Sequence, residues 1–123
     1  ESYATVHQLV STVTGTLKAG QSATSALAAG FPAGSMTGAP KIRAVEILRE
    51  LEAAPRDIYS GAFGYLGFDG SADFGMTIRT LVFDGNSATL GVGGGITIDS
   101  DPASEFEETM LKSKALLRAL EGN

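Results

Sequence analysis

The sequence predicts an α+β fold, and three observations carry that reading. Apolar residues recur at helical spacing through residues 40–53 and again through 102–121. Between these stretches lie three runs in which β-branched and aromatic residues alternate with polar ones. The runs are separated by Asp69-Gly70 and by Asp84-Gly85-Asn86, and Asp-Gly between alternating apolar runs is the strongest short hairpin signal.

In chain order, residues 2–17, "SYATVHQLVSTVTGTL", are rich in Val, Thr and Tyr and read as a strand, which Gly20 ends. Ser22 is placed to cap a short helix, "SATSALAAG". "FPAGSMTG" reads as a loop. Pro40 suits the first turn of the next helix, where its missing N–H costs nothing. Ile42, Val45, Leu48 and Leu51 then give an amphipathic helix over 40–53, which Ala54-Pro55 ends. "SGAFGYLGF", "DFGMTIRTLVF" and "ATLGVGGGITI" follow as the strands of an antiparallel meander. Asp101 is a good N-cap and Pro102 a good first residue for the helix 102–121.

The chain has 123 residues, enough for one domain. Its 43% apolar and 19% charged content fits a folded chain and excludes a disordered one. A net charge of −5 with scattered basic residues argues against nucleic acid, because tracking phosphates takes clustered Lys and Arg. The absence of cysteine removes disulfides, thiolate zinc sites and cysteine nucleophiles and fits a cytoplasmic location. No apolar run approaches the roughly 18 residues of a membrane span, and no signal peptide opens the chain, so no membrane partner is expected. The chain begins at Glu1 and enters a strand-like pattern almost at once, as expected of a piece of a longer protein.

Four features carry chemistry. In "GSMTGAPKIRAVEIL", residues 34–48, Gly34 and Gly38 are four apart and Ala39-Pro40 separates Gly38 from Lys41, so the spacing of a Walker loop fails. Two readings remain: a loop whose Ser35 or Thr37 caps a helix, or free N–H groups at the helix start facing an anion, with Lys41 adding positive charge. Arg79, in "MTIRTLVF", interrupts an apolar strand. On a central strand its guanidinium needs a carboxylate from the protein or a ligand, and on an edge strand it is simply solvated. In "GVGGGI", Gly93, Gly94 and Gly95 weaken a strand; they mark either a bulge or a close approach by a ligand to backbone N–H donors. On the last helix, Glu105, Glu108 and Lys112 share a face about 60° wide, apart from the solvated stripe of Glu107, Lys114 and Arg118. Two carboxylates one turn apart suit Mg²⁺; the alternative is an ordinary i,i+4 pair between Glu108 and Lys112, worth a few tenths of a kcal/mol. Together the four features describe a site for a small polyanion with Mg²⁺.

"FPAGSMTGAPKIRAVEILRELE", "YSGAFGYLGFDGSADFGMTIRTLVFDG" and "GGGITIDSDPASEFEETMLKSKALLRAL" resemble the chorismate-utilising enzymes, over almost the whole chain and in order. These include anthranilate synthase component I, aminodeoxychorismate synthase component I, isochorismate synthases and salicylate synthases, and "PAGSMTGAPK" is most similar to the aminodeoxychorismate branch. The resemblance implies a large α/β domain with antiparallel sheets packed on helices, of which residues 1–123 form the C-terminal part. It implies that Tyr59 and Arg79 hold the enolpyruvyl carboxylate of chorismate. The backbone of Gly93, Gly94 and Gly95 lies near the substrate, Lys112 faces the ring carboxylate and the metal, and Glu108 and Glu105 serve Mg²⁺. Ser35, Thr37, Gly38 and Lys41 belong to the segment that lines the pocket. The implied reaction in the aminodeoxychorismate branch places nitrogen at C4, with ammonia from a glutamine amidotransferase subunit or domain. In the anthranilate branch nitrogen goes to C2 and pyruvate is eliminated. A non-catalytic carboxylate- or nucleotide-binding module is the reading from another class.

The sequence departs from the family at one position. Many members have His before Leu-Val-Ser on the first strand, where this chain has Gln8, with His7 one place earlier. Neighbours on a regular strand point to opposite faces, so either Gln8 faces the site or a bulge brings His7 in. Gln cannot transfer a proton as His can, which favours the aminodeoxychorismate branch if that His assists pyruvate elimination. The family's general acid, a further Mg²⁺ carboxylate and the group selecting the nucleophile fall upstream of these residues, so the 123-residue chain is expected to be inactive alone.

Overall fold

A computed structural model describes residues 1–4 and 7–121, and its architecture is α+β. Helix α1 spans Ala23–Gly30, α2 Gly34–Thr37 and α3 Lys41–Leu51; strands β1 to β4 span Ala62–Leu66, Ala72–Met76, Leu81–Asp84 and Ser87–Leu90; helix α4 spans Pro102–Leu120. No helix among the described residues is long and apolar enough to cross a membrane.

The helices form where their caps place them. Ser22 Oγ accepts from the Ser25 N–H at 3.2 Å and starts α1. Asp101 accepts from the Ser104 N–H at 2.9 Å, with Pro102 in the first turn, and starts α4. That bond and the Ser104 hydroxyl hold the Asp101 carboxyl below its usual range. "FPAGSMTG" is more ordered than a loop: Gly34–Thr37 makes one helical turn, closed by the Gly38 N–H donating to Gly34 O at 2.8 Å. Neither Ser35 nor Thr37 caps α3, because both are used inside that turn. Pro40 occupies the N-cap position instead, without a side-chain bond. Gly38 links the two helices at φ 107°, in the left-handed region that favours glycine.

The strands form two hairpins, β1–β2 and β3–β4, each an antiparallel pair in its own sheet, and not the continuous meander. Asp69 shapes the first turn, its Oδ1 accepting from the Ser71 N–H at 3.0 Å and the Ser71 hydroxyl at 2.6 Å. Gly85, at φ 58°, opens the two-residue turn of the second. The long middle strand breaks between Met76 and Leu81. Thr77 still pairs with Ser60 and Gly61, both bonds 3.0 Å, but the backbone reaches φ 51° at Arg79, which ends the period-two alternation. Arg79 is therefore exposed in a bend between hairpins and not set in a strand. The third predicted strand likewise stops at Leu90, where the glycine-rich run begins.

The strand expected over 2–17 does not form among the described residues; Thr5 and Val6 lie outside them. Ser2 and His7 make an isolated bridge, and residues 8–18 carry no regular structure. Both hairpins keep unpaired outer edges, and residues 8–18 pair with neither of them.

No apolar side chain among the described residues is fully buried. Leu9, Val13 and Ile98 are almost wholly exposed, and Phe63, Ile42 and Ile96 are exposed too. Burying one such side chain is worth about 1.5–3 kcal/mol, so this surface holds stabilisation that the chain does not realise by itself. The isolated 123-residue chain is expected to bind a hydrophobic dye and to lose its circular dichroism over a broad temperature range. A sharp, cooperative melt without dye binding would contradict this.

Candidate functional site

Tyr59 stands at the junction of the two hairpins. It enters β1 through Ser60, which is buried and left-handed at φ 68°. That conformation is unfavourable for a residue with a Cβ and is held by its surroundings. The Ser60 N–H donates to Thr77 O at 3.0 Å, the Gly61 N–H to Ile58 O at 3.0 Å, and the Thr77 hydroxyl to Ile58 O. The ring of Tyr59 lies against the backbone that leaves β4. A Cβ on Gly91 would collide with the ring, and one on Gly93 would sit 2.8 Å from the phenol oxygen. Gly91 and Gly93 thus answer the close approach of a protein side chain, where the sequence predicts a ligand or a bulge at Gly93, Gly94 and Gly95.

From Gly93 the site residues continue in line. A Cβ on Gly94 would lie 3.1 Å from Glu105 Oε2, while nothing lies within 4 Å of the corresponding point on Gly95. Glu105 Oε1 accepts from the Ser100 hydroxyl at 2.5 Å. One turn along α4, Glu108 and Lys112 form an ion pair of 2.5 Å, with side chains 53% and 36% exposed. The ordinary i,i+4 pair is thus present, and its exposure limits it to roughly 0.3–0.5 kcal/mol. Gly94, Ser100, Glu105 and Thr109 line a cavity of about 310 Å³ between the glycine run and the start of α4.

The remaining candidates lie to either side of this line. Arg79 follows two residues after Thr77, which is bonded to Ile58 and Ser60, and among the described residues it makes no ion pair. Ser35, Thr37, Gly38 and Lys41 form the α2–α3 corner. Thr37 Oγ1 donates to Ala33 O at 3.3 Å, Ser35 is exposed, and Lys41 Nζ donates to Gly30 O at 2.9 Å at the end of α1. Gln8 is not brought to the others: its N–H donates to Glu1 O at 2.9 Å and its carbonyl accepts from the Glu1 amino group at 2.8 Å. His7 is bonded to Ser2, 3.0 Å from its hydroxyl.

Sequence reasoning missed the group that joins the corner to Tyr59. Arg56 donates to both Glu52 oxygens, from Nε at 3.1 and 2.9 Å and from Nη2 to Oε1 at 2.6 Å. Its Nη1 donates to Met36 O at 2.6 Å and to Ser60 Oγ at 3.0 Å. The guanidinium carbon lies 5.8 Å from the centre of the Tyr59 ring, within cation–π range. Helix spacing could not flag the pair, because α3 stops at Leu51 and Glu52 is already extended. Gly91 had a readable signal: Gly91 and Gly93, two apart, share one face of an extended chain.

A cavity of about 540 Å³ adjoins this clasp, with Phe31, Pro32, Val45 and Leu48 in its largely apolar lining. Thr37, Arg56 and Tyr59 also line it, so Tyr59 borders both this cavity and the glycine run. For a divalent cation, Glu105 and Glu108 are two carboxylates one turn apart, and Glu105 Oε2 faces open backbone at Gly94. That donor set fits Mg²⁺, which commonly takes one or two carboxylates and fills its shell with water and ligand oxygens. Among the described residues no cluster of three or more His, Cys, Asp or Glu is placed to hold a metal.

Comparison with known proteins shows the family. Residues 1–118 match the family described as chorismate binding enzyme. The chain is 54% identical over 121 residues to an aminodeoxychorismate synthase of Streptomyces griseus, covering 98% of this chain and 17% of that protein. It is 48% identical over 120 residues to anthranilate synthase component 1 of Streptomyces coelicolor, covering 98% of this chain and 24% of the relative. With the aminodeoxychorismate synthase of Arabidopsis thaliana it shares 47% over 120 residues, or 13% of that chain. The chain therefore spans between about an eighth and a quarter of the length of these relatives.

The Arg56 bonds pull the Glu52 carboxyl below its ordinary value of 4.5, against the opposing effect of burial. A carboxylate depressed on folding adds stability above its unfolded pKa and loses it as pH falls through the folded one. In the full-length protein, Glu52→Gln is expected to lower the melting temperature at pH 7 by about 1–2 °C, since the pair is partly exposed. The difference from wild type should shrink as pH falls below 4.5. A difference that does not change with pH would count against the ionic clasp.

Proposed function

The chain belongs to the chorismate binding enzymes, and from that premise we propose that it is the C-terminal part of the chorismate-binding domain of an aminodeoxychorismate synthase component I. The full protein would convert chorismate and ammonia, the latter supplied from glutamine by an amidotransferase subunit or domain, to 4-amino-4-deoxychorismate in the cytoplasm. The observation that carries the branch is the match of nearly the whole chain to aminodeoxychorismate synthases of two Streptomyces species. Anthranilate synthase component I is the second reading, favoured by relatives of that name at comparable identity.

The proposed roles of the residues are these. Chorismate carries two carboxylates, and the exposed guanidinium of Arg79 offers one of them a two-point charged hydrogen bond. The Tyr59 hydroxyl joins it at the enolpyruvyl end. Backbone N–H groups of Gly93, Gly94 and Gly95 supply neutral donors along the substrate edge. Lys112 meets the ring carboxylate. Its present bond to Glu108 is weak and exposed, so exchanging it for a substrate carboxylate costs little. Glu105 and Glu108 would hold Mg²⁺, which when bound neutralises the ring carboxylate and eases departure of the C4 hydroxyl. Glu105 is kept facing the glycine run by the Ser100 hydroxyl. The Ser35–Lys41 corner closes one wall, with Thr37 and Gly38 nearest the helix start. Gln8 lacks the proton-transfer capacity that pyruvate elimination needs, which supports C4 amination as the end point.

The test is mass analysis of the product that the full-length protein forms from chorismate, ammonia and Mg²⁺. Aminodeoxychorismate without pyruvate is expected; anthranilate with stoichiometric pyruvate would establish the second reading, and no turnover would point to a binding module. Arg79→Ala should lower kcat/KM by about 100-fold or more, mostly through KM for chorismate. Gln8→His should raise pyruvate release, and an unchanged release would remove Gln8 from the site.

A further inference from the structure

Arg56 is the most fully bonded side chain outside the residues so far given a role, and its contacts select a function. The guanidinium fork accounts for five hydrogen bonds that reach three places: the end of α3 at Glu52, the carbonyl of Met36 in the α2 turn, and Ser60 Oγ at the left-handed entry to β1. Its face lies toward the Tyr59 ring, whose other contacts are the glycine backbone at 91 and 93. Tyr59 thus sits between a fixed cation and a backbone that admits no side chain.

We propose that Arg56 is a positioning residue of the chorismate site, acting through Tyr59 and through the Gly34–Thr37 turn without touching substrate. The proposal rests on the functional reading above and deepens it. The geometry favours an indirect role: four of the five guanidinium N–H groups are engaged by protein acceptors, and the side chain is 24% exposed. A ligand carboxylate seeking a two-point bond through Nε and Nη2 would have to displace Glu52, which holds both nitrogens. What Arg56 does instead is couple two walls of the site. Movement of the α2 turn pulls on Met36 O, and movement of Tyr59 or Ser60 breaks the remaining contacts, so both walls settle in one register. Lysine cannot replace it, because a point charge lacks the planar fork that meets Glu52, Met36 and Ser60 together.

The full-length protein carrying Arg56→Ala, Arg56→Lys and Tyr59→Phe, singly and as Arg56→Ala/Tyr59→Phe, tests this by steady-state kinetics with chorismate, alongside melting temperatures. Arg56→Ala should reduce kcat/KM by between about 10- and 100-fold, chiefly by raising KM, and Arg56→Lys should recover only a minor part. The double variant should lose much less than the product of the two single losses, because Arg56 acts through the same phenol. Multiplicative losses, or a KM unchanged in Arg56→Lys and Arg56→Ala while only the melting temperature falls, would reduce Arg56 to a structural tie and overturn the proposal. If Arg56→Ala fails to fold, the Arg56→Lys KM and the milder Glu52→Gln variant decide in the same way. Wild-type protein that does not turn over chorismate overturns the functional reading itself, a result distinct from all of these.

Discussion

The contact of the Tyr59 ring with the backbone at Gly91 and Gly93 is what the arrangement of the site depends on. The two hairpins form separate two-stranded sheets, so strand pairing does not join β1–β2 to β3–β4. A two-stranded hairpin is marginal by itself. Tyr59 leads into the first hairpin, and Gly91 leaves the second. Their close approach sets where the glycine run passes, and the run in turn meets Glu105 on α4. From the other side, Arg56 ties the same ring to the α2–α3 corner. The α2–α3 corner, Tyr59, Gly93, Gly94 and Glu105 thus form a connected series through packing that glycine alone permits.

The energetics follow from what lies outside that series. Stabilisation of a domain comes mainly from buried apolar area, and net stability is a small remainder of about 5–15 kcal/mol. No apolar side chain among the described residues is fully buried, and large ones lie exposed along residues 9–17, on both hairpins and at Ile96 and Ile98. The polar contacts at the site are individually worth about 1 kcal/mol or less and cannot offset chain entropy by themselves. If the chain is part of a larger domain, as proposed, those faces are where the remainder packs, and the site's geometry is stabilised from outside it.

Local chemistry was readable where local rules decide. Ser22, Asp101 and Pro102 mark helix starts that the structure keeps, and Asp69-Gly70 and Asp84-Gly85-Asn86 both mark hairpins. The strand over 2–17 and the unbroken strand through Arg79 were not recoverable, because both depend on pairing partners beyond the local pattern. Residues 8–18 have β composition but pair with neither hairpin, Ser60 is held left-handed by its bond to Thr77, and Arg79 is left-handed at φ 51°. At the site, spacing placed Glu108 beside Lys112 and left the glycine run open between a bulge and a ligand's close approach. It said nothing of Arg56, whose partners are four residues away beyond a helix end, 20 residues away at Met36, and on the next loop. Tyr59 came from family resemblance alone, since a tyrosine before a strand has no distinguishing pattern.

Calorimetric titration of chorismate, with Mg²⁺ present, into the full-length protein and its Gly93→Ala variant puts the role of the Tyr59–glycine contact to the most direct trial. The added methyl group falls 2.8 Å from the phenol oxygen and forces it to move, while removing no charged group. A substrate site organised on Tyr59 should then bind chorismate about tenfold more weakly or worse. Equal affinity in the two proteins would show that the phenol's position does not matter to substrate.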